Sequence, residues 1–197
     1  DAVERIGELK KVNGADPAVE MGSITEVAAA SPGCPMLLFD HIKGYPPGFR
    51  VISNLLHTPK RLALALDLPL DLNGVPFVAA WKDKVSFDKG QDPVVVKDAA
   101  FHDNIFTGKD VDIRALPSPK WHEKDGGDYF GTAAVTIARD PDSGYVNCGI
   151  YRLQSWNENT LLIQAQASNN LSVIRRKYWA KGQTCPVVVC NGVEPVT

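Results

Sequence analysis

Residues 113–119, Ile-Arg-Ala-Leu-Pro-Ser-Pro, divide this chain more sharply than any other stretch in it. Pro117 and Pro119 stop any helix, because each lacks an amide proton and each disfavours helical backbone at the residue before it. Upstream, short apolar runs alternate with helical periodicity; downstream, β-branched runs are separated by turns. The chain therefore reads as an α/β (α+β) fold with a boundary after residue 117. Residues 1–117 form an N-terminal α/β domain and 118–197 a β-rich one, and 197 residues suffice for two small domains.

In the first unit the pattern predicts a helix over 3–12 and a second over 24–29. Ser23 is the expected N-cap of the second, with Glu26 three residues on completing a capping box. Pro32-Gly33-Cys34-Pro35 breaks the chain before a buried strand over 36–39. Gly44-Tyr45-Pro46-Pro47-Gly48 is a rigid turn leading to a strand over 49–52. Thr58-Pro59 then opens a helix over 58–68, threonine as cap and proline in the first turn. From 72 to 119 the pattern thins into a long connection with one strand over 93–96.

The second unit carries expected strands at 129–138 and 145–154, joined as a hairpin by Arg139-Asp140-Pro141-Asp142-Ser143-Gly144. A third strand covers 161–166, a helix 171–180 closed by Gly182, and a last strand 186–190.

A net charge of -2, a pI near 6.1 and no Lys/Arg run argue against nucleic acid or an anionic membrane as partner. No stretch approaches the roughly 18 apolar residues of a transmembrane helix. The opening residues read neither as a signal peptide nor as a natural start. Cys34, Cys148, Cys185 and Cys190 lack CxxC spacing; those in strand-like runs read as small buried hydrophobes, and free thiols suit a cytoplasmic protein. The four histidines lack metal-ligand spacing, and His122 reads as structural in the Asp-Gly-Gly loop that follows it. No Gly-x-Ser-x-Gly, P-loop or dinucleotide fingerprint occurs, which removes the commonest enzyme classes.

Four pieces carry a more specific signal. They are Pro35-Met36-Leu37-Leu38-Phe39 with Ile42-Lys43-Gly44-Tyr45-Pro46; Trp121-His122 through Asp125-Gly126-Gly127-Asp128-Tyr129; Asn147-Cys148-Gly149-Ile150-Tyr151-Arg152; and Pro186-Val187-Val188-Val189 leading to Gly192-Val193-Glu194-Pro195. In order and spacing they resemble the UbiD family of decarboxylases and span nearly the whole chain. The resemblance implies an N-terminal α/β domain followed by an FMN-binding split β-barrel. It also implies that the chain stops inside that barrel, before the family's acidic metal ligand and catalytic carboxylate. This polypeptide alone is then expected to be inactive.

The implied activity is non-oxidative, reversible decarboxylation of an aromatic or α,β-unsaturated acid with prenylated FMN, assisted by Mn2+ or a similar divalent cation and by K+. Asn147 matches the family's asparagine metal ligand, and Asn170 falls where many members carry a histidine. By residue type alone Asn147 is an ordinary strand or turn asparagine, and Ser168, Asn169 and Asn170 are helix caps; both roles are compatible near a phosphate. Arg152 matches the arginine beside flavin and substrate carboxylate, which a guanidinium grips through two hydrogen bonds; the ordinary alternative is a strand-end salt bridge. Thr132, Ile150, Tyr151, Asn169 and Asn170 occupy cofactor-lining positions, and Gln164 and Gln166 share one side of the third strand. Five positions separate Asn147 from Arg152, so a regular strand would point them to opposite faces, and a bulge at Cys148-Gly149 is expected to reconcile them.

The implied partners are a small carboxylic acid, a flavin prenyltransferase that supplies the cofactor, and further copies of the complete chain as a homo-oligomer. Two other functions stay open at this point: a truncated, non-catalytic flavin-binding or assembly module, and an FMN-dependent oxidoreductase on a similar barrel.

Overall fold

The computed structural model describes residues 2–85 and 94–193. Helix α1 (Ala2–Arg5) is followed by strand β1 (Leu9–Asn13), not by the continuous helix expected over 3–12. Gly7 takes a left-handed φ of 75° that ends the helix, and β1 then pairs in parallel with β2 (Met36–Asp40) from Leu9↔Met36 to Asn13↔Asp40. Strand β3 (Val51–Ser53) adds to β2 antiparallel, completing a three-stranded sheet.

Helix α2 (Glu20–Ala30) begins before the predicted cap, at Val19, whose φ is 76°. Its start is set by Asp16, whose carboxylate accepts the Ala18 amide (2.8 Å), while Glu20 reaches back to the Asp16 amide (2.6 Å). Ser23 therefore lies inside the helix. Helix α3 (Pro59–Ala65) is capped as expected, with the Thr58 hydroxyl accepting the Arg61 amide at 3.2 Å.

The connection expected after residue 72 contains helix α4 (Gly74–Lys84), which buries no residue fully and half-buries Phe77, Ala80 and Trp81 along one face. Val94, Val95 and Val96 are exposed and form no strand, and Pro93 lies outside the described residues, as do Glu194 and Pro195 of the fourth motif.

In the second unit, the two long strands expected each split. Strand β4 (Tyr129–Gly131) is separated from β5 (Val135–Arg139), and β6 (Val146–Ile150) from β7 (Leu153–Asn157). The four still form one hairpin, since Tyr129 opposes Gln154 and Val135 opposes Ile150. The breaks face each other, and there the hairpin leaves one sheet (order β6-β5-β9, β9 being Val187–Cys190) and enters another (order β4-β7-β8, β8 being Thr160–Ile163). Strands that switch sheets in this way form corners between packed layers. Gly131 allows the corner, because a Cβ there would sit 2.7 Å from the Ala134 methyl group.

Strand β8 (Thr160–Ile163), helix α5 (Asn170–Ala180) and strand β9 (Val187–Cys190) follow among the described residues. The hairpin turn is pinned to α5 by Lys177 on Asp140 and Lys181 on Asp142. All four cysteines of the chain are free, but Cys148 is exposed on β6 rather than buried.

Each unit has a core of its own. One gathers Met21, Leu37, Phe39 and Ile42; the other gathers Ala138, Tyr151, Leu171 and Ile174. They meet where Ala18 bridges Lys120, with the Val19 amide on the Lys120 carbonyl at 2.8 Å. Gly22 permits this approach, since a Cβ there would lie 1.8 Å from the Trp121 carbonyl oxygen. Among the described residues no helix is long and apolar enough to cross a membrane.

Candidate active site

A cleft of about 550 Å³ lies between the units. One wall comes from α2 (Gly22, Thr25, Glu26), the end of β3 (Ser53) and the loop after it (Asn54, Leu55); the other comes from Trp121, His122, Asp125, Tyr129 and the hairpin corner. The corner is why Thr132, Ala133 and Arg152 emerge here: residues at facing breaks in a ladder are released from strand pairing and project off the sheet.

The first wall is set by Arg61, which is 1% exposed. Its guanidinium donates to the carbonyls of Leu55 (2.9 Å), Asn54 (2.9 Å) and Cys34 (2.8 Å) and to Glu8 (2.8 Å). A buried arginine is tolerated only when its donors are satisfied in this way. Thr25 and Ser53 join hydroxyls at 2.9 Å, and the Asn54 side-chain amide donates to the Thr25 carbonyl.

On the second wall, Arg152 is exposed and its guanidinium carbon lies 5.7 Å from the Tyr129 ring centroid. None of the ion pairs among the described residues involves Arg152, so the strand-end salt bridge considered above does not form there. A guanidinium held over an aromatic face with its donors uncommitted suits a carboxylate. His122 closes one end of the cleft: its amide donates to Asp125 (2.9 Å), and its ring meets Glu26 across the units at 2.7 Å. The Glu26 contact raises its pKa. His122 thus holds the Asp-Gly-Gly loop, as expected, and also ties that loop to α2. The Trp121 indole N–H is buried with no acceptor among the described residues.

Asn147, Tyr151, Asn169 and Asn170 gather around the start of α5. Asn147 is 3% exposed, and its Nδ2 donates to the Tyr151 hydroxyl at 3.2 Å. That hydroxyl also accepts the Leu171 amide (3.3 Å) in the first turn of the helix. Asn169 is the N-cap, its side-chain oxygen accepting the Ser172 amide at 2.9 Å, while Asn170 is exposed beside it. Tyr151 is buried in the core rather than set on an open surface.

Ile150, Gln164 and Gln166 are exposed. Gln164 and Gln166 follow the end of β8 at Ile163 yet keep their alternation with Ala165, which packs inward. The Gln164 amide donates to the Arg152 carbonyl (3.0 Å), so the two groups of residues share a backbone link.

No bulge interrupts β6. Its register with β5 is unbroken from Arg139↔Val146 to Val135↔Ile150. Asn147 and Arg152 diverge because the strand ends at Ile150, before Arg152, and not because of irregularity at Gly149.

For a hard cation the chain offers amide oxygens: no donor among the described residues reaches the Asn147 side-chain oxygen, and the Asn170 side chain is uncommitted. This donor set fits a cation bound beside a phosphate. Among the described residues no group of three or more His, Cys, Asp or Glu gathers to hold a metal. Sequence reasoning missed Tyr129, Thr25, Ser53 and Asn54 as cleft residues; Tyr129 alone carried a signal, its place at the end of the Asp-Gly-Gly motif.

An α/β layer packed across a cleft on small sheets joined by a bent hairpin is a fold that this chain shares with solved decarboxylases and UbiD-class enzymes. The vanillic acid decarboxylase of Sedimentibacter hydroxybenzoicus in its closed form superposes with a TM-score of 0.87 at 26% identity, covering 98% of this chain and 41% of that one. An evolved dimeric form of the UbiD-class enzyme HmfF from Pelotomaculum thermopropionicum, in complex with prFMN, gives 0.80 at 29% identity, covering 98% and 43%.

Residues 94–197 match the Rift-related domain of 3-octaprenyl-4-hydroxybenzoate carboxy-lyase and residues 1–74 its N-terminal domain, so the chain belongs to the UbiD family. A curated relative, the pyrrole-2-carboxylic acid decarboxylase of Pseudomonas aeruginosa, is 27% identical over 99% of this chain. The chain spans about 40% of that relative's length.

Proposed function

We propose that this chain supplies the N-terminal domain (1–117) and the first part of the flavin-binding barrel (118–197) of a reversible, non-oxidative decarboxylase acting on an aromatic or α,β-unsaturated acid. The observation that carries the reading is Arg152: an uncommitted guanidinium at a barrel corner, over Tyr129, facing a cleft between the units. Loss of CO2 leaves an electron pair on carbon, and prenylated FMN, when bound, supplies the electron sink that side chains lack.

In this reading Arg152 grips the substrate carboxylate and orients it, with the Thr132 hydroxyl beside it at the corner. Asn147 and Asn170 offer oxygens to Mn2+ and K+ at the flavin phosphate, with the Asn169-capped start of α5 adding its amide dipoles. Ile150, Tyr151, Gln164 and Gln166 belong to the same cofactor environment. A cytoplasmic location, cofactor supply by a flavin prenyltransferase and homo-oligomerisation of the complete chain belong to this proposal. The family membership favours it over an FMN-dependent oxidoreductase.

The test is to load the complete protein with prenylated FMN and follow 13C exchange between labelled bicarbonate and a panel of cinnamate-like, hydroxybenzoate-like and heteroaromatic acids. Exchange or CO2 release with at least one acid is expected. Oxidation of a substrate without carboxylate exchange would establish the oxidoreductase instead.

A further inference from the structure

Asn147 and Tyr151 lie four positions apart, on the same face of the chain as it runs out of β6. The Tyr151 ring folds back along that strand: a Cβ on Gly149 would lie 2.7 Å from ring Cε2 and 3.0 Å from the hydroxyl oxygen. Glycine at 149 is therefore what lets the hydroxyl reach Asn147 at 3.2 Å. The same oxygen takes the Leu171 amide at 3.3 Å, and that backbone N–H can only donate. A phenol oxygen has two lone pairs, so it accommodates both donors. With Nδ2 committed to the hydroxyl, the Asn147 carbonyl oxygen is left for another partner; the reversed amide would spend that oxygen on the hydroxyl.

We infer that Tyr151 is a positioning residue for the cation site, seated by Gly149, which fixes the orientation of the Asn147 amide and locks it to the first turn of α5. The inference rests on the reading of Asn147 as a cation ligand. It assigns Tyr151 a role distinct from flavin contact, since its ring is buried among Ala138, Leu171 and Ile174. Ser172, fully buried, extends the lock: its hydroxyl donates to the Ala165 carbonyl at 3.2 Å, holding the segment that carries Gln164 and Gln166.

The experiment titrates Mn2+ into the complete protein with FMN present and follows free and bound Mn2+ by EPR. Tyr151→Phe keeps the ring and removes only the hydroxyl. Loss of a group that orients a metal ligand weakens binding by roughly 10–100-fold, and that weakening is expected with an altered bound-Mn2+ line shape and a melting temperature lowered by only a few degrees, as the Leu171 amide and Asn147 Nδ2 lose a buried acceptor. Asn147→Ala is expected to weaken Mn2+ as well. Gly149→Ala, which displaces the ring but keeps the hydroxyl, should reproduce the Tyr151→Phe effect.

Wild-type Mn2+ affinity in Tyr151→Phe alongside weakened binding in Asn147→Ala would overturn the inference and leave the functional reading standing. Wild-type affinity in Asn147→Ala would remove the cation role of Asn147 and the inference with it. If Tyr151→Phe does not fold, Gly149→Ala decides, and wild-type affinity there overturns the inference. Weakening that merely tracks a collapse in melting temperature in both variants also overturns it, because the role is then structural.

Discussion

The two walls of the cleft are held by opposite means. The N-terminal wall rests on one buried charge, Arg61, whose guanidinium gathers Leu55, Asn54, Cys34 and Glu8. The barrel wall rests on backbone geometry, where the facing breaks at 132–134 and 151–152 push Thr132 and Arg152 outward. A wall organised by one hub fails as a unit when the hub is lost. A wall organised by a strand corner keeps its shape when a side chain is removed and loses only that side chain's chemistry.

Arg61→Met is the harshest way to break this contrast. It leaves three carbonyls without this donor and Glu8 with only the Thr58 hydroxyl and Lys60, and removing the buried partner of such a pair costs about 3–5 kcal/mol. Urea denaturation should show a loss of that size; a loss under about 1 kcal/mol would mean the wall does not depend on the hub.

Arg152→Ala should behave in the opposite way, with stability and flavin retention unchanged while kcat/KM falls by at least about 100-fold through lost substrate orientation. Near-normal turnover in that variant would remove Arg152 from the mechanism.

Gly22→Ala acts on the seam between the walls. The added methyl group must displace the Trp121 backbone, and overpacking of this kind typically costs about 1–3 kcal/mol. Faster proteolysis around 119–123 in the native state is expected, and unchanged cutting would show that the units do not need this close approach.

The smallest effect is the His122–Glu26 contact across the cleft. Its raised pKa means that the stabilisation is complete below about pH 6.5, the ordinary histidine value, and is lost as pH rises through the raised folded-state value. Both groups are exposed and screened, so the effect is modest. A comparison of melting temperature against pH for wild type and His122→Gln reads it directly: the wild-type advantage should shrink on the alkaline side, and parallel curves would exclude the contact.

What the sequence made legible follows from how local each signal is. Thr58-Pro59 caps α3 through its own neighbours, Gly182 ends α5 with a left-handed φ of 68°, and the β5–β6 turn is fixed by Asp140 accepting the amides of Asp142 and Ser143. Strand β1 was not legible, because Leu9 and Val12 have helical spacing and only pairing with β2 decides the matter. Helix α4 was missed although Phe77, Ala80 and Trp81 stand at helical spacing along one half-buried face.

The corner escaped detection because β-branched composition runs through it and nothing local marks a strand that changes sheets. Arg152 and Asn147 stood out only through their motif. Thr25, Ser53 and Asn54 reach the cleft through tertiary approach, which no spacing along the chain records.

The close seat of the Tyr151 ring over Gly149 also constrains how this stretch can vary through descent. A side chain at 149 and a ring at 151 compete for one volume, so neither position is free to drift alone. Relatives that carry alanine or serine at the first position should carry a small residue at the second, and those that keep the ring should keep the glycine. Counting such paired exchanges across a set of aligned relatives would expose this coupling, and a laboratory lineage forced to change one site should recover by changing the other.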